Sequence, residues 1–128
     1  MKILVVDDEA DVRFLFEQRF RREIREGLFS FTFAFSGEEA LSYLTQEKHY
    51  SEVVLILSDI NMPGMSGLEL LRNIKVDHPN PPPAVMMITA YGDENSYAKA
   101  MQLGAADFLV KPIDFALLKQ KLLPLSNG

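Results

Sequence analysis

Five charged or polar side chains in this chain stand at or just beyond the ends of apolar runs. A strand that is buried on both faces has a continuous apolar sequence, so residues in these positions mark the ends of buried strands. Their side chains are three carboxylates, one hydroxyl and one ammonium group. The five residues are Asp7, Asp8, Asp59, Thr89 and Lys111.

These residue types suit the transfer of a phosphoryl group. Carboxylates that share one small site repel each other unless a cation joins them, and hard oxygen ligands suit Mg²⁺. A carboxylate can act as the nucleophile that forms an acyl phosphate. A lysine ammonium can then pair with one phosphate oxygen, and a threonine hydroxyl can donate to another. We therefore interpret Asp59 as a phosphate acceptor, with Asp7 and Asp8 as metal-site carboxylates.

Each residue also has a plainer interpretation. Asp7 or Asp8 alone would more often begin a helix than bind a metal. Lys111 could form an ordinary salt bridge with an aspartate at a strand end, which would also be the resting arrangement of a phosphate site. The aspartates together favour the metal interpretation.

Five apolar or alternating runs predict the strands that must position these residues. One of them, Val53–Leu57, is the most hydrophobic run of the chain and predicts the central strand. The predicted strands are Ile3–Val6, Ser30–Phe35, Val53–Leu57, Ala84–Ile88 and Asp107–Val110.

Five predicted helices alternate with these strands. The first carries an apolar stripe from Val12 through Leu15, Phe16 and Phe20 to Ile24 and ends near Gly27. The second begins at Ser36 in a capping box with Glu39. The third includes Leu68, Leu71 and Ile74; the fourth runs from Asp93 to Leu103 before Gly104; the last includes Phe115, Leu118 and Leu122 and ends at Pro124.

This alternation predicts an α/β fold with a parallel sheet between two layers of helices. In such open sheets the functional site lies beyond the carboxyl ends of the strands. The five polar residues end four separate strands, so we expect them to converge on one pocket.

The composition limits the class of protein. The 128 residues are 48% apolar and 24% charged and contain no cysteine, as expected of one soluble domain without disulfides. The net charge of −5 argues against non-specific binding of nucleic acid by this segment. No apolar run approaches the roughly 20 residues of a membrane span, and the apolar N-terminal run is too short for a signal peptide. We expect a cytoplasmic protein.

The chain resembles the receiver domain of two-component response regulators from Lys2 to about Leu123. Each of the four markers is weak alone, whereas all four in this order are specific. They are Val-Val-Asp7-Asp8-Glu9, Ser-Asp59-Ile-Asn-Met-Pro-Gly, Thr89-Ala90 and Lys111-Pro112. The resemblance implies a flavodoxin-like, doubly wound sheet of five parallel strands in the order 2-1-3-4-5, with five helices in three layers.

The resemblance also implies a role for each site residue. A sensor histidine kinase or a histidine phosphotransfer protein would phosphorylate Asp59. Mg²⁺, or Mn²⁺, would be bound by Asp8, Asp59 and the backbone carbonyl of Asn61, and by Asp7 through a water. Lys111 and Thr89 would contact the phosphoryl group, and Lys111-Pro112 would be a cis peptide.

Further positions would couple phosphorylation to output. Thr89 would move toward the phosphoryl oxygens, and Phe108, at the aromatic switch position, would turn inward. The family often has tyrosine there, and phenylalanine lacks its hydroxyl. The face formed by the fourth helix, fifth strand and fifth helix would then change. Asn61 and Tyr91, two residues after the acceptor and the threonine, match positions that tune dephosphorylation.

Residues 1–123 are expected to form the receiver domain and residues 124–128 the start of a linker or C-terminal tail. An output domain could follow, or the domain could act on a partner protein, and phosphorylation could drive homodimerisation. We expect a signalling phosphoacceptor that assists its own phosphorylation and dephosphorylation rather than an enzyme, and no contact with a membrane.

Three alternatives remain on sequence grounds. An aspartate-nucleophile hydrolase would need a second aspartate two residues after the nucleophile, where this chain has Asn61. A flavin or nucleotide binder of this fold would need a glycine-rich phosphate loop after the first strand, which is absent from the sequence. A degenerate receiver that serves only as a docking surface is disfavoured because every chemical position is intact.

Overall fold

The computed structural model describes residues 1–46, 52–77, 83–90 and 94–126, and within them five strands and six helices. The strands are β1 (Lys2–Val6), β2 (Ser30–Ala34), β3 (Leu55–Asp59), β4 (Ala84–Thr89) and β5 (Asp107–Val110). The helices are α1 (Asp11–Arg19), α2 (Arg21–Arg25), α3 (Gly37–Leu44), α4 (Gly67–Asp77), α5 (Glu94–Gln102) and α6 (Phe115–Ser126).

The five strands form one parallel sheet in the order β2-β1-β3-β4-β5. All residues of β3 are buried, as expected for the central strand. The predicted fold, strand order and direction are therefore confirmed. The bounds of β3 differ: it begins two residues later than predicted and ends on Asp59 itself, so the strand ladder directly holds the backbone of this residue.

The core has two halves because successive strand residues point to opposite faces of the sheet. On one face, Leu4, Val6 and Ile56 pack with buried residues of α3, α4 and α5. On the other face, Ile3 and Val5 pack with buried residues of α1 and α6, among them the side chains Phe16 and Leu118. This arrangement confirms the three predicted layers.

The predicted first helix is divided into α1 and α2 at Phe20, where the backbone leaves the helical region (φ −108°, ψ 22°). This break explains why the described residues contain six helices instead of five. Leu15 and Ile24, predicted members of the apolar stripe, are 40% and 37% exposed. Glu23 is buried in place of Ile24, because its carboxylate pairs with Lys119 of α6 at 2.6 Å.

The sequence predicted that the last helix ends at Pro124, and this prediction is wrong. Pro124 lies inside α6, which continues to Ser126. A proline has a φ compatible with a helix and loses one hydrogen bond. Only the last residues of α6 depend on the turn that Pro124 disturbs, and Pro124 and Leu125 are exposed. The preceding turns are held by the buried side chains Leu118 and Leu122.

Several predicted turn signals are confirmed. Gly27 and Gly104 end helices with positive φ angles of 75° and 97°, which glycine adopts without a steric penalty. Ser36 Oγ accepts a hydrogen bond of 3.0 Å from the Glu39 N–H, which is one half of the predicted capping box. The predicted cap Asp93 lies outside the described residues. Among the described residues, no helix is long and apolar enough to cross a membrane.

Candidate functional site

Three carboxylates meet at the carboxyl end of the sheet. Asp7 and Asp8 follow β1, and Asp59 ends the neighbouring strand β3. Val6 and Ser58 are paired in the ladder, so the residues that follow them are close in space. One carboxylate oxygen from each of the three lies within 4.8 Å of the others. Asp7 and Asp59 are 3% and 4% exposed, and Asp8 faces solvent. The convergence predicted from the strand ends is therefore present.

Lys111 extends from the end of β5 into this acidic group. Its Nζ lies 3.0 Å from Asp59 Oδ2, 3.4 Å from Asp7 Oδ2 and 3.8 Å from Glu9 Oε1. Burial works to lower the pKa of Lys111, but the hydrogen bond and charge of Asp59, with the charges of Asp7 and Glu9, outweigh it and raise this pKa. The ammonium is thus held charged. The Lys111-Pro112 peptide is cis.

The buried carboxyl of Asp7 is in an environment that disfavours its charged form. Burial is the largest cause that raises the pKa of its carboxyl, and the charge of Asp59 adds to it. The Glu9 N–H, 2.9 Å from Asp7 Oδ1, and the Lys111 ammonium oppose this shift without cancelling it. Asp7 Oδ2 is buried and accepts no hydrogen bond from any described residue. This carboxylate oxygen has capacity for a further cationic or hydrogen-bonding partner.

Thr89 contributes a second buried polar atom without a hydrogen bond. It ends β4, is 1% exposed, and its Oγ1 has no hydrogen-bond partner among the described residues. The backbone brings it to the site, since Ile88 pairs with Asp59 and the Lys111 N–H donates to the Thr89 carbonyl at 2.7 Å. A buried hydroxyl usually has a partner, so Thr89 is positioned to gain one.

The loop after Asp59 folds back on the acceptor strand. The Asn61 N–H lies 3.3 Å from Asp59 Oδ1 and donates to it, and the Gly67 N–H donates to the Ile60 carbonyl at 2.8 Å. A Cβ on Gly67 would stand 2.1 Å from the Asp59 carbonyl oxygen. Sequence reasoning assigned Gly64–Gly67 to a loop before the third helix and missed this close approach. A glycine as the first residue of a helix was the available signal.

Phe108, the predicted switch residue, is half-buried on β5. Its ring lies edge-to-face with the ring of Tyr97 on α5, with centroids 4.8 Å apart and an interplanar angle of 83°. Sequence reasoning did not identify Tyr97, because helical periodicity gives no information about which ring it meets. Tyr91, the second predicted tuning residue, lies outside the described residues.

An apolar cavity of about 470 Å³ opens beside the acidic group. Side chains of α1, such as Leu15 and Phe16, form one wall, and Ile113 and Phe115 form another. Asp7, Glu9 and Lys111 lie at its polar end. This size is within the range of ligand-binding pockets. A molecule in this cavity would therefore stand next to the Asp59–Lys111 pair.

Known proteins are similar to this chain in sequence and in fold. The chain is 35% identical over 130 residues to the sporulation initiation phosphotransferase F of Bacillus subtilis, an alignment that covers 99% of this chain and 97% of that protein. It is 42% identical over 110 residues to the DNA-binding transcriptional regulator NtrC of Klebsiella pneumoniae, covering 86% of this chain but 21% of that protein. The chain thus spans about a fifth of the length of that longer relative.

A solved structure and a family model agree with these alignments. The crystal structure of a response regulator receiver protein from Pseudomonas putida matches with a TM-score of 0.80 at 28% identity, covering 94% of this chain and 93% of that one. The family model for the response regulator receiver domain matches residues 3–123. The chain belongs to the receiver domain family of two-component response regulators, whose members are phosphorylated on an aspartate.

Proposed function

We propose that Asp59 accepts a phosphoryl group from the phosphohistidine of a sensor histidine kinase or a histidine phosphotransfer protein. One observation carries this assignment: Asp59 is the buried carboxylate at the end of the central strand that contacts Lys111 at 3.0 Å and lies within 4.8 Å of two further carboxylates. A carboxylate oxygen of Asp59 attacks phosphorus, and the bond between phosphorus and the histidine nitrogen breaks. The imidazole leaves with the electron pair and takes up a proton from solvent.

The residues of the acidic group fit Mg²⁺ or Mn²⁺. The buried Asp7 Oδ2 without a hydrogen bond, and three carboxylates whose charge exceeds that of Lys111, form the oxygen-rich, acidic environment that these ions require. Asp8, Asp59 and the backbone carbonyl of Asn61 would hold the ion, with Asp7 acting through a water. When bound, the ion neutralises charge on the phosphoryl oxygens.

Lys111 and Thr89 bind the oxygens of the new phosphoryl group. The ammonium of Lys111 leaves Asp59 Oδ2 for a phosphoryl oxygen, which exchanges one charge-assisted contact for another. The hydroxyl of Thr89 donates to a second oxygen and so gains the partner that it lacks. Hydrolysis reverses the modification when water attacks phosphorus and the bond to Asp59 breaks, and we assign Asn61 and Tyr91 to tuning this rate.

The cavity beside the site receives the histidine-bearing segment of the donor. Its walls are apolar, and its polar end contains Lys111. A donor that inserts apolar side chains between Leu15 and Ile113 would place its phosphohistidine at the polar end of the cavity, where Lys111 contacts Asp59. Apolar burial would supply affinity, and the charged residues would align the phosphoryl group.

Output follows from the movement of Thr89 toward the phosphoryl group and of Phe108 into the space that it vacates. This changes the face formed by α5, β5 and α6, which is the predicted output face. We propose that this face controls an output domain beyond a linker that follows α6, or a partner protein, and that it supports a phosphorylation-dependent homodimer. We place the protein in the cytoplasm, where histidine kinases obtain ATP.

The test is labelling with a small phosphodonor, phosphoramidate, in the presence of Mg²⁺. Intact mass spectrometry should show one phosphoryl group on the wild-type chain, and hydroxylamine should remove it, as expected of an acyl phosphate. Asp59→Asn should take up none, whereas Asp11→Asn should react like wild type, because Asp11 is an exposed acid of α1 outside the acidic group. Equal labelling of Asp59→Asn and wild type would overturn the assignment.

A further inference from the structure

The ring of Tyr97 lies against the ring of Phe108, the predicted switch residue. It packs edge-to-face on Phe108 at 4.8 Å, the geometry that aromatic quadrupoles favour. Tyr97 is itself 48% exposed on α5. The pair therefore connects a half-buried side chain of the sheet with the protein surface through one ring contact.

The register of β4 and β5 links this pair to the phosphate site. Phe108 pairs with Met87, and Thr89 lies two residues further along β4, so Phe108 and Thr89 project from the same face of the sheet. This is the face that α5 covers, since Phe108 packs against the core half that contains Ala100 of α5. Because Thr89 is buried, its movement would open space in the interior on the same face of the sheet as Phe108.

The backbone of Phe108 is fixed while its ring is held only by packing. The Phe108 N–H donates to Asp107 Oδ1 at 2.7 Å, and the other oxygen of that carboxylate accepts from Lys121 Nζ of α6 at 2.6 Å. These contacts, together with the ladder to β4, anchor the main chain. A phenylalanine ring has no hydroxyl that could hold it outward through a hydrogen bond. Its position must depend on the rings and apolar groups around it.

We propose that Tyr97 is the positioning residue of this switch: its ring holds Phe108 in the outward, resting position, and phosphorylation breaks the contact. This inference rests on the proposed function of Asp59 and Thr89. The ring contact from Tyr97 thereby stabilises the outward position of Phe108, as a hydrogen bond from the hydroxyl would do if position 108 were a tyrosine. Because the ring pair is made in the resting state and lost in the switched state, it sets the equilibrium between them. The released Tyr97 changes the exposed surface of α5.

The first test measures binding of beryllofluoride, a phosphoryl mimic, with Mg²⁺. Loss of a contact made only in the resting state should shift the equilibrium toward the switched state, so Tyr97→Ala should bind the mimic about two- to tenfold more tightly. Tyr97→Phe keeps the ring and should match wild type. Lys99→Ala, an exposed change on the same helix, should also match wild type.

A double-mutant cycle decides whether the effect passes through Phe108. In the Phe108→Ala background, Tyr97→Ala should no longer change the affinity for beryllofluoride. Unchanged or weaker binding by Tyr97→Ala, or an equal gain in the Phe108→Ala background, would overturn the role of Tyr97. Failure of the wild-type chain to bind beryllofluoride at all would instead overturn the proposed function, and this inference with it.

A spectroscopic readout reports the contact directly. The chain has four tyrosines, so 3-fluorotyrosine labelling gives four ¹⁹F signals, and Tyr97→Phe assigns one of them. Beryllofluoride should move the Tyr97 signal in the wild-type chain as the Phe108 ring leaves. The same addition should leave it unmoved in Phe108→Ala. A Tyr97 signal that does not respond in wild type, while beryllofluoride binds, contradicts the proposal.

Discussion

The Lys111 ammonium contacts the Asp59 carboxylate directly, with 3.0 Å between Nζ and Oδ2, although 52 residues separate them in the chain. The same ammonium lies 3.4 Å from Asp7. Lys111 therefore forms an ion pair with two of the three carboxylates of the acidic group. The salt bridge between Lys111 and an aspartate at a strand end, which the sequence suggested, is present.

Lys111→Ala should separate phosphorylation from switching. Asp59 keeps its nucleophilic oxygens and its acidic neighbours, so phosphoramidate should still label this variant. The phosphoryl group then lacks its ammonium partner, and we expect the beryllofluoride-induced change of the Tyr97 ¹⁹F signal to be lost. Lys75→Ala on α4 is a control of equal charge change. Full switching by Lys111→Ala would show that the lysine does not couple the site to the output face.

Asp7→Asn should stabilise the metal-free protein and reduce the stabilisation that it gains from Mg²⁺. Burial and the charge of Asp59 raise the pKa of Asp7, so its charged form destabilises the fold, and this cost grows as pH rises through that pKa. We expect the free energy of unfolding at pH 7 to rise by about 1 kcal/mol, a common size for one substitution.

Urea unfolding with and without Mg²⁺ checks this expectation. The wild-type chain should gain about 2.7 kcal/mol at a Mg²⁺ concentration one hundred times its Kd. Asp7→Asn should gain much less, because its amide cannot replace a carboxylate near the ion. Asp11→Asn should behave as wild type in both conditions. If wild type and Asp7→Asn gain the same free energy of unfolding from Mg²⁺, Asp7 does not contribute to the metal site.

The buried Glu23 should make stability depend on pH through Lys119. The hydrogen bond from Lys119, 2.6 Å long, lowers the pKa of Glu23 against the opposing effect of burial. A lowered folded-state pKa contributes stability that is complete above the unfolded-state pKa of about 4.3 and is lost as pH falls through the folded-state pKa. Lys119→Met should therefore cost about 1–2 kcal/mol at pH 7 and progressively less below pH about 4.

Arg22→Met is the matched control for this ion pair. Arg22 pairs with Glu26 at 3.3 Å but is 81% exposed, so its loss should cost no more than about 0.5 kcal/mol. Denaturant unfolding of both variants across acid and neutral pH makes the comparison. The same cost for Lys119→Met at acid and neutral pH would show that the Lys119 stem, not its charge, stabilises the contact.

The fold and the positions of the five chemical residues could be predicted because both depend on local patterns. Apolar runs predicted the strands. The rule that sites lie at the carboxyl ends of parallel strands predicted the pocket that contains Asp7, Asp8 and Asp59. Each of these patterns is formed by residues that are close to each other in the sequence. The parallel topology then determines which strand ends are neighbours.

The features that sequence reasoning missed depend on contacts between distant segments. Glu23 is buried because Lys119, far along the chain, pairs with it. Tyr97 on α5 contacts the ring of Phe108 on β5. Gly67 begins a helix within contact distance of the backbone at Asp59. Periodicity and propensity carry no information about the partners of Glu23 and Tyr97, and a glycine at position 67 does not indicate which backbone it approaches.

Leu15→Arg should block transfer from a donor protein without affecting the chemistry at Asp59. Leu15 is 40% exposed and lines the cavity beside the site, so a charged side chain there would disturb an apolar docking segment. We expect transfer from a histidine phosphotransfer protein to slow by about tenfold or more, which corresponds to the loss of one interface anchor. Labelling by phosphoramidate should not change.

Val76→Arg provides the control for this surface substitution. Val76 is 74% exposed on α4 and does not line the cavity, so the added charge should alter neither reaction. The two phosphodonors thus separate docking from chemistry. If Leu15→Arg slows labelling by both donors equally, the substitution acts on the site itself, and the cavity is not a donor surface.

Gly67→Ala should damage the site through its backbone. The new Cβ would stand 2.1 Å from the Asp59 carbonyl oxygen and 2.8 Å from Ile60 Cα, and neither main-chain atom can move without shifting the end of β3. Overpacking of this kind costs about 1–3 kcal/mol. We expect the free energy of unfolding to fall by that amount, and Mg²⁺ to bind more weakly because Asp59 and the Asn61 carbonyl are displaced together.

Gly27→Ala distinguishes this effect from general destabilisation. Gly27 has a φ of 75° with no atom within 4 Å of an added Cβ, so alanine there introduces backbone strain alone. It should lower the free energy of unfolding by about 1 kcal/mol and leave Mg²⁺ affinity unchanged. Mg²⁺ titrations and urea unfolding of the two variants provide the comparison. Wild-type Mg²⁺ affinity in Gly67→Ala would show that the close approach of α4 to β3 supports the fold without positioning the site.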